Sequence, residues 1–220
     1  MSRRRYGQYC GLAAALDLVG ERWTLLIVRD LLGGPQRYRD LAARQPGLAS
    51  DLLTARLKLL VDAGLVEKVR LPPPGHVDAY RLTDAGDEAL RPVVDALVRF
   101  GVERLPRPLS TDDRLDVTWA FGTLAIALGD AAPDDGGLFV DTDTGTAHLH
   151  RAAGAARVSH GVVAPPAVSL RGPTAAVLGV LLGHVTAAAV AADLIIDGDP
   201  DAFERWCDAI QRTAPSSLRA

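Results

Sequence analysis

The sequence predicts an α+β protein with two unlike domains, the first mainly helical and the second built around one sheet. Helical periodicity and one hairpin pattern dominate up to about residue 104, whereas short strand patterns bounded by helices follow residue 114. Between them, the segment Leu105-Pro106-Arg107-Pro108-Leu109 breaks the helical pattern. We therefore expect domains at residues 1–105 and 110–220, joined by a linker at residues 106–109.

Charge divides the chain near the same place. Up to Arg107 the sequence holds 17 lysines and arginines against 13 aspartates and glutamates, and from Pro108 onward it holds 7 against 14. The first half therefore has a net charge of +4 and the second half a net charge of −7. Only the first half suits a polyanion, and we expect the acidic half to project away from one.

Composition excludes several other classes. Although 48% of the residues are hydrophobic, no uninterrupted apolar run is long enough to cross a membrane. Residues 2–7 do not lead into the apolar segment of a signal peptide. The two cysteines lie in different halves and do not suggest a disulfide framework. We expect a cytoplasmic protein that makes no membrane contact.

Residues 37–64 have the pattern of a helix pair. A short helix begins near Arg37, a turn follows at Pro46-Gly47, and a second, amphipathic helix is closed by Gly64 as its C-cap. The residues spaced to bury one face of this second helix are Leu52, Leu53, Leu57, Leu60 and Val61. The opposite face carries Ser50, Asp51, Thr54, Ala55 and Lys58. A small, polar face of this kind suits a helix that enters a DNA major groove, and the alternative is an ordinary helix pair in an enzyme core.

A β-hairpin is predicted directly after the helix pair. Residues 66–71 alternate as a strand, residues 72–75 turn the chain, and residues 77–82 return as the partner strand. Arg70, His76 and Arg81 in or beside this hairpin are candidates for contact with phosphates or the minor groove. The alternative is a solvated hairpin with incidental charges. Together with the helix pair, this pattern favours a winged helix-turn-helix.

At this point the chain resembles the HxlR family of winged-helix transcription regulators. The resemblance covers Tyr6 to about Gly101 and rests on Cys10 with LDLVGERWTLLI at 16–27, GPQRYRDL at 34–41, LTARL at 53–57, DAGLV at 62–66 and YRLTDAG at 80–86. It implies a dimeric DNA-binding regulator. Two departures concern the N-cap of the second helix, where Ala49-Ser50 replaces the frequent Ser-Pro, and the wing, where Val77-Asp78-Ala79 replaces a segment with Arg or Lys.

The predicted contacts with double-stranded DNA follow from these two motifs. Ser50 and Thr54 are expected nearest the bases, and Arg56 and Lys58 are expected at phosphates. The full set is Arg39, Ser50, Asp51, Thr54, Ala55, Arg56, Lys58, Arg70, His76 and Arg81. The cluster Arg3-Arg4-Arg5 is either an arm that follows the phosphate backbone or a solvated tail.

A long helix after the hairpin predicts a homodimer. Thr83 is a suitable cap for it, and Pro92 is expected to bend it near its start. Its apolar stripe consists of Leu90, Val93, Val94, Leu97 and Val98. Because the winged domain is too small to cover this stripe, we expect a second subunit there, which matches a palindromic operator. The alternative is that the acidic domain covers the stripe within one chain.

The second domain is predicted to contain one sheet between helices. The expected order is a helix at 114–128, strands at 137–142, 146–151, 156–163 and 168–170, a helix at 174–182, a strand at 194–197 and a helix at 201–211. With VSLRG at 168–172, a helix reaching Leu182-Gly183 and LIIDGDP at 194–200, this part resembles a sterol carrier protein-like domain.

That resemblance implies a cavity for a small apolar ligand between sheet and helices. The candidate lining residues are Trp119, Phe121, Leu124, Leu128, Leu138, Phe139, Leu178, Leu182 and Trp206. The alternative is a fully packed core, because large apolar residues at helical spacing usually belong to one.

We predict no enzyme, no metal site and no cofactor. His148 and His150 face one side of a strand but have no third ligand at a defined spacing, and the aspartates at 141–143 and 197–201 are interpreted as turns. No nucleophile motif or phosphate loop is present. Cys10 is a redox candidate, because a cysteine at this position senses oxidants in some HxlR-like regulators and because Arg22 or Arg29 nearby would lower its pKa. The alternative is a buried cysteine.

Taken together, these patterns predict a sequence-specific transcription regulator, a ligand-responsive repressor that acts as a homodimer. One alternative is a lipid-binding or small-molecule-binding interaction module whose winged half serves dimerisation. Another is a redox-sensing regulator that acts through Cys10.

Overall fold

The fold comes from a computed structural model that describes residues 5–71, 77–105 and 114–219. The predicted linker at 106–109, the hairpin turn at 72–75 with His76, and Arg3 with Arg4 lie outside these residues. The chain divides into two units, Met1–Val94 and Asp95–Ala220. None of the described helices combines the length and apolarity needed to cross a lipid bilayer.

The division falls within a helix, whereas the sequence predicts it after residue 105. One reason is that the end of this helix contacts residues of the second unit, since Arg99 Nη2 donates a hydrogen bond to the carbonyl oxygen of Ile126 at 2.8 Å. A helix that continues past a domain boundary gives no composition signal at the boundary itself.

Among its described residues, the first unit contains four helices, a small sheet and the first part of a fifth helix that continues into the second unit. The helices and strands in chain order are α1 Gly11–Val19, α2 Thr24–Leu32, β1 Gln36–Arg37, α3 Tyr38–Arg44, α4 Ser50–Asp62, β2 Val66–Arg70, β3 Asp78–Leu82 and α5 Asp84–Val102. The sheet has the order β1-β3-β2, and both pairs are antiparallel. The two-residue strand β1 is too short to predict, because only its pairing with Ala79 and Tyr80 defines it.

Helix α4 follows the predicted pattern. Leu53, Leu57 and Leu60 are buried, while Leu52 and Val61 at the edges of the apolar face are half-buried. The helix ends at Asp62 and its C-cap is Ala63, one residue before the predicted Gly64. The backbone N–H groups of Gly64 and Leu65 donate to the carbonyls of Val61 and Leu60. Gly64 has φ +71°, which glycine adopts without the cost a side chain would bring.

Helix α5 begins as predicted, but its apolar stripe is divided. The hydroxyl of Thr83 accepts a hydrogen bond from the N–H of Gly86 at 2.9 Å and so caps the helix. Leu90 and Val94 are buried, whereas Val93 and Leu97 are exposed. Residues four apart lie on the same side of a helix. The side with Leu90 and Val94 is therefore covered within one chain, and the neighbouring side with Val93 and Leu97 is not.

The second unit is an α+β structure with a five-stranded sheet. Its elements are α6 Val117–Leu128, β4 Leu138–Thr142, β5 Gly145–Ala152, β6 Ala155–Ser159, β7 Val168–Gly172, α7 Thr174–Leu181, β8 Ile195–Gly198, α8 Pro200–Thr213 and α9 Ser216–Arg219. The strand order is β6-β5-β4-β7-β8, in which only β4 and β7 are parallel.

Two boundaries in this unit differ from the prediction by three residues or more. Helix α6 begins at Val117 because the side chain of Asp116 accepts from the N–H of Thr118 at 2.9 Å as an N-cap. Strand β6 ends at Ser159 rather than at Val163. The N–H of Val163 instead donates to the Nδ1 atom of His148 at 3.3 Å, which takes this residue out of a strand ladder.

Candidate nucleic-acid interface

The polar face of α4 is open to solvent. Its members Ser50, Asp51, Thr54, Ala55 and Lys58 are all exposed. Ala49 is the N-cap, and it contributes no side-chain hydrogen bond. The first turn of α4 therefore keeps backbone N–H groups that its cap residue does not satisfy, as the replacement of Ser-Pro by Ala49-Ser50 predicts.

Tyr38, which the sequence did not single out, contacts the beginning of this face. Its hydroxyl lies 2.9 Å from the carbonyl oxygen of Ser50, 2.8 Å from Ser50 Oγ and 3.2 Å from Thr54 Oγ1. These contacts tie the first residue of α3 to the first two turns of α4. No local pattern reveals a pairing of residues 12 and 16 positions apart on different helices.

Arg56 points away from the polar face. Its Nη2 atom donates to Glu21 Oε2 at 3.0 Å, and only 17% of its side chain is exposed. Its Nε atom is buried without a partner in the described residues. A phosphate contact by Arg56 therefore requires the pair with Glu21 to open.

The other cations near α4 are more accessible. Lys58 Nζ lies 2.7 Å from Asp62 Oδ2, and both side chains are mostly exposed. Arg39 on α3 has 75% of its side chain exposed and makes a long contact of 3.6 Å with Asp40. Exposed pairs of this kind are weak, so both cations remain able to meet a phosphate.

The hairpin carries its charges in cross-strand pairs. Arg81 Nε donates to Glu67 Oε1 at 2.8 Å, and these two residues are direct partners on β3 and β2. Arg70 is exposed opposite Asp78 at the end of the hairpin. His76 lies outside the described residues.

A buried polar contact links α2 to the end of α3. Gln45 Nε2 donates to Asp30 Oδ2 at 2.6 Å, and Arg29 donates to Asp30 Oδ1. Asp30 and Gln45 are both buried. The sequence signal for this contact is Asp30 itself, a carboxylate within the mostly apolar segment of α2. A carboxylate buried there needs hydrogen-bond donors as partners.

Cys10 lies exposed at the N-terminus of α1. Hydrogen bonds from the backbone of Ala13, and then of Leu12, lower the pKa of its thiol. The predicted cause, a nearby arginine, is wrong: Arg22 stacks over the ring of Trp23 and Arg29 binds Asp30. The alternative of a buried cysteine is also wrong, since Cys10 is exposed as the N-cap residue of α1.

In the second unit, most of the predicted ligand residues belong to one packed cluster. Phe121, Leu124, Leu128, Leu138 and Trp206 are buried in it, while Leu178 and Leu182 pack against it at its edge. Trp119 is half-buried, and the guanidinium of Arg114 lies 6.0 Å from its ring.

Phe139 is not part of that cluster. Leu138 and Val140 on the same strand are both in it, and successive strand residues point to opposite faces of a sheet. Phe139 therefore lies on the other face, where its ring meets His148 edge-on with 6.4 Å between ring centroids. The prediction that Leu138 and Phe139 line one cavity is wrong for this reason.

His148 is buried on that second face with both ring nitrogens occupied. Nε2 lies 3.2 Å from the carbonyl oxygen of Gly136, and Nδ1 accepts from the N–H of Val163. Burial, and to a lesser extent the nearby His150, lowers the pKa of His148. Within residues 5–71, 77–105 and 114–219, no group of three potential ligands is placed to hold a metal ion.

Comparison with known proteins matches residues 18–108 to the HxlR-like helix-turn-helix family. The chain is 42% identical to an uncharacterized HTH-type transcriptional regulator of Mycobacterium tuberculosis over 49% of this chain and 66% of that protein. It is 36% identical to the uncharacterized HTH-type transcriptional regulator YvaP of Bacillus subtilis over 40% of this chain and 82% of that protein. The solved structure of the reduced transcriptional regulator YodB from Bacillus subtilis aligns at 29% identity with a TM-score of 0.38, over 47% of this chain and 100% of that chain.

Proposed function

The chain belongs to the HxlR-like helix-turn-helix family, and we propose that it is a transcription regulator that binds double-stranded DNA. The observation that carries this proposal is the exposed polar face of α4, whose side chains are small enough for a major groove. The hairpin of β2 and β3 follows α4 directly and supplies the wing.

The DNA contacts divide by chemistry. Ser50, Asp51, Thr54 and Ala55 are assigned to base edges, because they form the beginning of the exposed face. The cations are assigned to phosphates, which give affinity and little sequence choice. They are Arg39, Lys58, Arg70 and Arg81. His76, which lies outside the described residues, is a further candidate for a phosphate contact. Arg56 joins them only when its pair with Glu21 opens.

The regulator acts as a homodimer on a palindromic operator. Exposed apolar side chains on α5 support this assembly, since Val93, Leu97 and Phe100 are between 42% and 61% exposed. Two copies present two α4 helices, which a site with two-fold symmetry accommodates. Sedimentation of the free protein and of its DNA complex tests the stoichiometry.

Binding to DNA is tested with the full chain and the DNA upstream of its own gene. Affinity is measured for this duplex and for a scrambled duplex of equal length across a salt series. We expect tighter binding to the natural duplex and a steep loss of affinity with salt. Equal, weak binding to both duplexes, together with no specific site in a wider search of genomic DNA, would contradict the proposal.

The C-terminal unit is assigned to a sterol carrier protein-like domain that binds a small apolar ligand and makes the repressor ligand-responsive. The order of helices and strands around a single sheet supports this assignment. Titration with a fluorescent fatty-acyl or sterol probe tests it. Saturable binding that releases the operator supports a ligand-responsive repressor. Tight probe binding without any DNA binding would instead favour a lipid-binding module whose winged half serves dimerisation.

A redox-sensing regulator is a second candidate function, because Cys10 is exposed and the pKa of its thiol is lowered. Alkylation of Cys10 that leaves operator affinity unchanged would exclude it. Family membership favours a regulator over an enzyme. Because a transcription regulator binds chromosomal DNA, we assign the protein to the cytoplasm.

A further inference from the structure

One proton arrangement satisfies all three contacts of the hydroxyl cluster around Tyr38. A carbonyl oxygen only accepts, so the single proton of the Tyr38 hydroxyl goes to the carbonyl oxygen of Ser50 at 2.9 Å. The contacts at 2.8 Å to Ser50 Oγ and 3.2 Å to Thr54 Oγ1 then use the protons of these two hydroxyls. Ser50 and Thr54 therefore turn their protons toward Tyr38 and keep lone pairs for a partner outside.

Asp51 adds a stronger acceptor to the same face. Its side chain is exposed next to Ser50 and has no hydrogen bond or ion pair with any other described residue. An ionised carboxylate only accepts hydrogen bonds. Ala55 lies one turn further on and offers a methyl group. The beginning of α4 thus presents three acceptors and one apolar contact.

The two cations of α4 pair with carboxylates and do not extend toward the beginning of the helix. The guanidinium of Arg56 is held by Glu21, and the ammonium of Lys58 lies against Asp62 in the last turn. The commonest specific contact in a major groove joins Arg or Lys to the O6 and N7 acceptors of guanine. The first two turns of α4 supply no cation for it.

We propose that the beginning of α4 reads bases that offer amino groups in the major groove, and that Asp51 is the residue that sets this preference. Asp51 accepts from N4 of a cytosine, and Ala55 contacts a thymine methyl group. A guanine in place of this cytosine puts two acceptors opposite the carboxylate, so that the preference rests on repulsion as well as attraction. This inference rests on the proposed DNA-binding function.

Tyr38 is a positioning residue in this scheme. Replacing it by phenylalanine removes the acceptor for the protons of Ser50 and Thr54. Both hydroxyls are then free to rotate and to donate to guanine. Tyr38→Phe should therefore weaken discrimination against guanine while Asp51 stays in place.

The experiment begins with selection of duplexes from a random pool by the full-length protein. The same selection is made with Asp51→Ala, Asp51→Asn, Tyr38→Phe and the control Glu88→Gln, which removes one exposed negative charge from α5. Affinities are then measured for pairs of duplexes in which one G·C pair of the selected motif is inverted. Such pairs separate a change in base preference from a general gain in affinity caused by lost negative charge.

We expect one position at which the wild type favours cytosine over guanine by about tenfold. Asp51→Ala should bring this ratio close to one, and Tyr38→Phe should reduce it in part. Glu88→Gln should keep it. A motif whose base preferences are the same for wild type and Asp51→Ala would overturn the inference and leave the regulator standing. Failure of the wild type to enrich any motif would overturn the proposed function itself.

Discussion

The guanidinium of Arg56 donates to the carboxylate of Glu21 across 3.0 Å, which ties the middle of α4 to the segment just before α2. Arg56 is the more buried partner of the pair. The helix that carries the exposed polar face is therefore linked to a residue 35 positions earlier in the chain.

Arg56→Ala should lower the free energy of unfolding by about 1 kcal/mol, because it removes this bond and the packing of the side chain. Urea unfolding of the full chain, followed by circular dichroism, measures the loss. Lys58→Ala is the matched control on the same helix, since its pair with Asp62 is exposed and should cost less than about 0.5 kcal/mol. Equal losses from both substitutions would show that the bond to Glu21 does not hold α4.

Lys58→Ala should change DNA binding in a way that depends on salt. If its ammonium neutralises one phosphate, the slope of log affinity against log salt concentration falls by about 0.9 in magnitude per bound site. Affinity should fall similarly for operator and scrambled duplexes, because a phosphate contact has no base preference. An unchanged slope would remove Lys58 from the interface.

Gly64→Ala should destabilise the first unit by about 1 kcal/mol. A Cβ atom at Gly64 meets nothing within 4 Å, so the cost comes from the backbone at φ +71°. Gly11→Ala is the control, because its Cβ also meets nothing within 4 Å and its φ is not positive. Thermal unfolding should show a lower melting temperature for Gly64→Ala and no decrease for Gly11→Ala.

The second unit should lose stability as the pH falls below 6.5. Burial holds the pKa of His148 below its ordinary value of 6.5 in the folded chain, so the unfolded chain binds more protons between the folded pKa and 6.5. Stability from this group is thus complete above pH 6.5 and decreases until the pH passes the folded pKa. Urea unfolding at several pH values should show this slope, and His148→Asn should reduce it. The control is His184→Asn at an exposed position, which should leave the slope of stability against pH unchanged.

Cys10 should react with iodoacetamide before Cys207 at pH 7.5. Its thiol is exposed with a lowered pKa, whereas burial and the charges of Asp208 and Glu204 raise the pKa of Cys207 to about 11. We expect at least about a tenfold difference in rate, because the thiolate is the reactive form. Mass spectrometry of the digested protein over time distinguishes the two sites. Similar rates would contradict the exposed position of Cys10.

Much of the local structure was available from periodicity and punctuation. The apolar spacing of Leu53, Leu57 and Leu60 predicted the buried face of α4, and Gly64 predicted its end. Phe139 was placed on the wrong face of the sheet, although the two-residue period of a strand separates it from Leu138. The contact between Arg56 and Glu21 was missed because the two residues are far apart in sequence. Asp116 shows that a helix start is readable when a capping residue is present, although the predicted start preceded it by three residues.

The sequence by itself determined the helix-turn-helix with its hairpin, the α+β order of the second unit and the family to which the chain belongs. These features follow from local spacing, turn residues and short motifs, which need no knowledge of distant neighbours. Only the tertiary structure decided that Arg56 turns to Glu21 and that the hydroxyl of Tyr38 contacts those of Ser50 and Thr54. The physical reason is that hydrogen bonds between side chains far apart in sequence depend on how the helices pack, and no local pattern encodes that geometry.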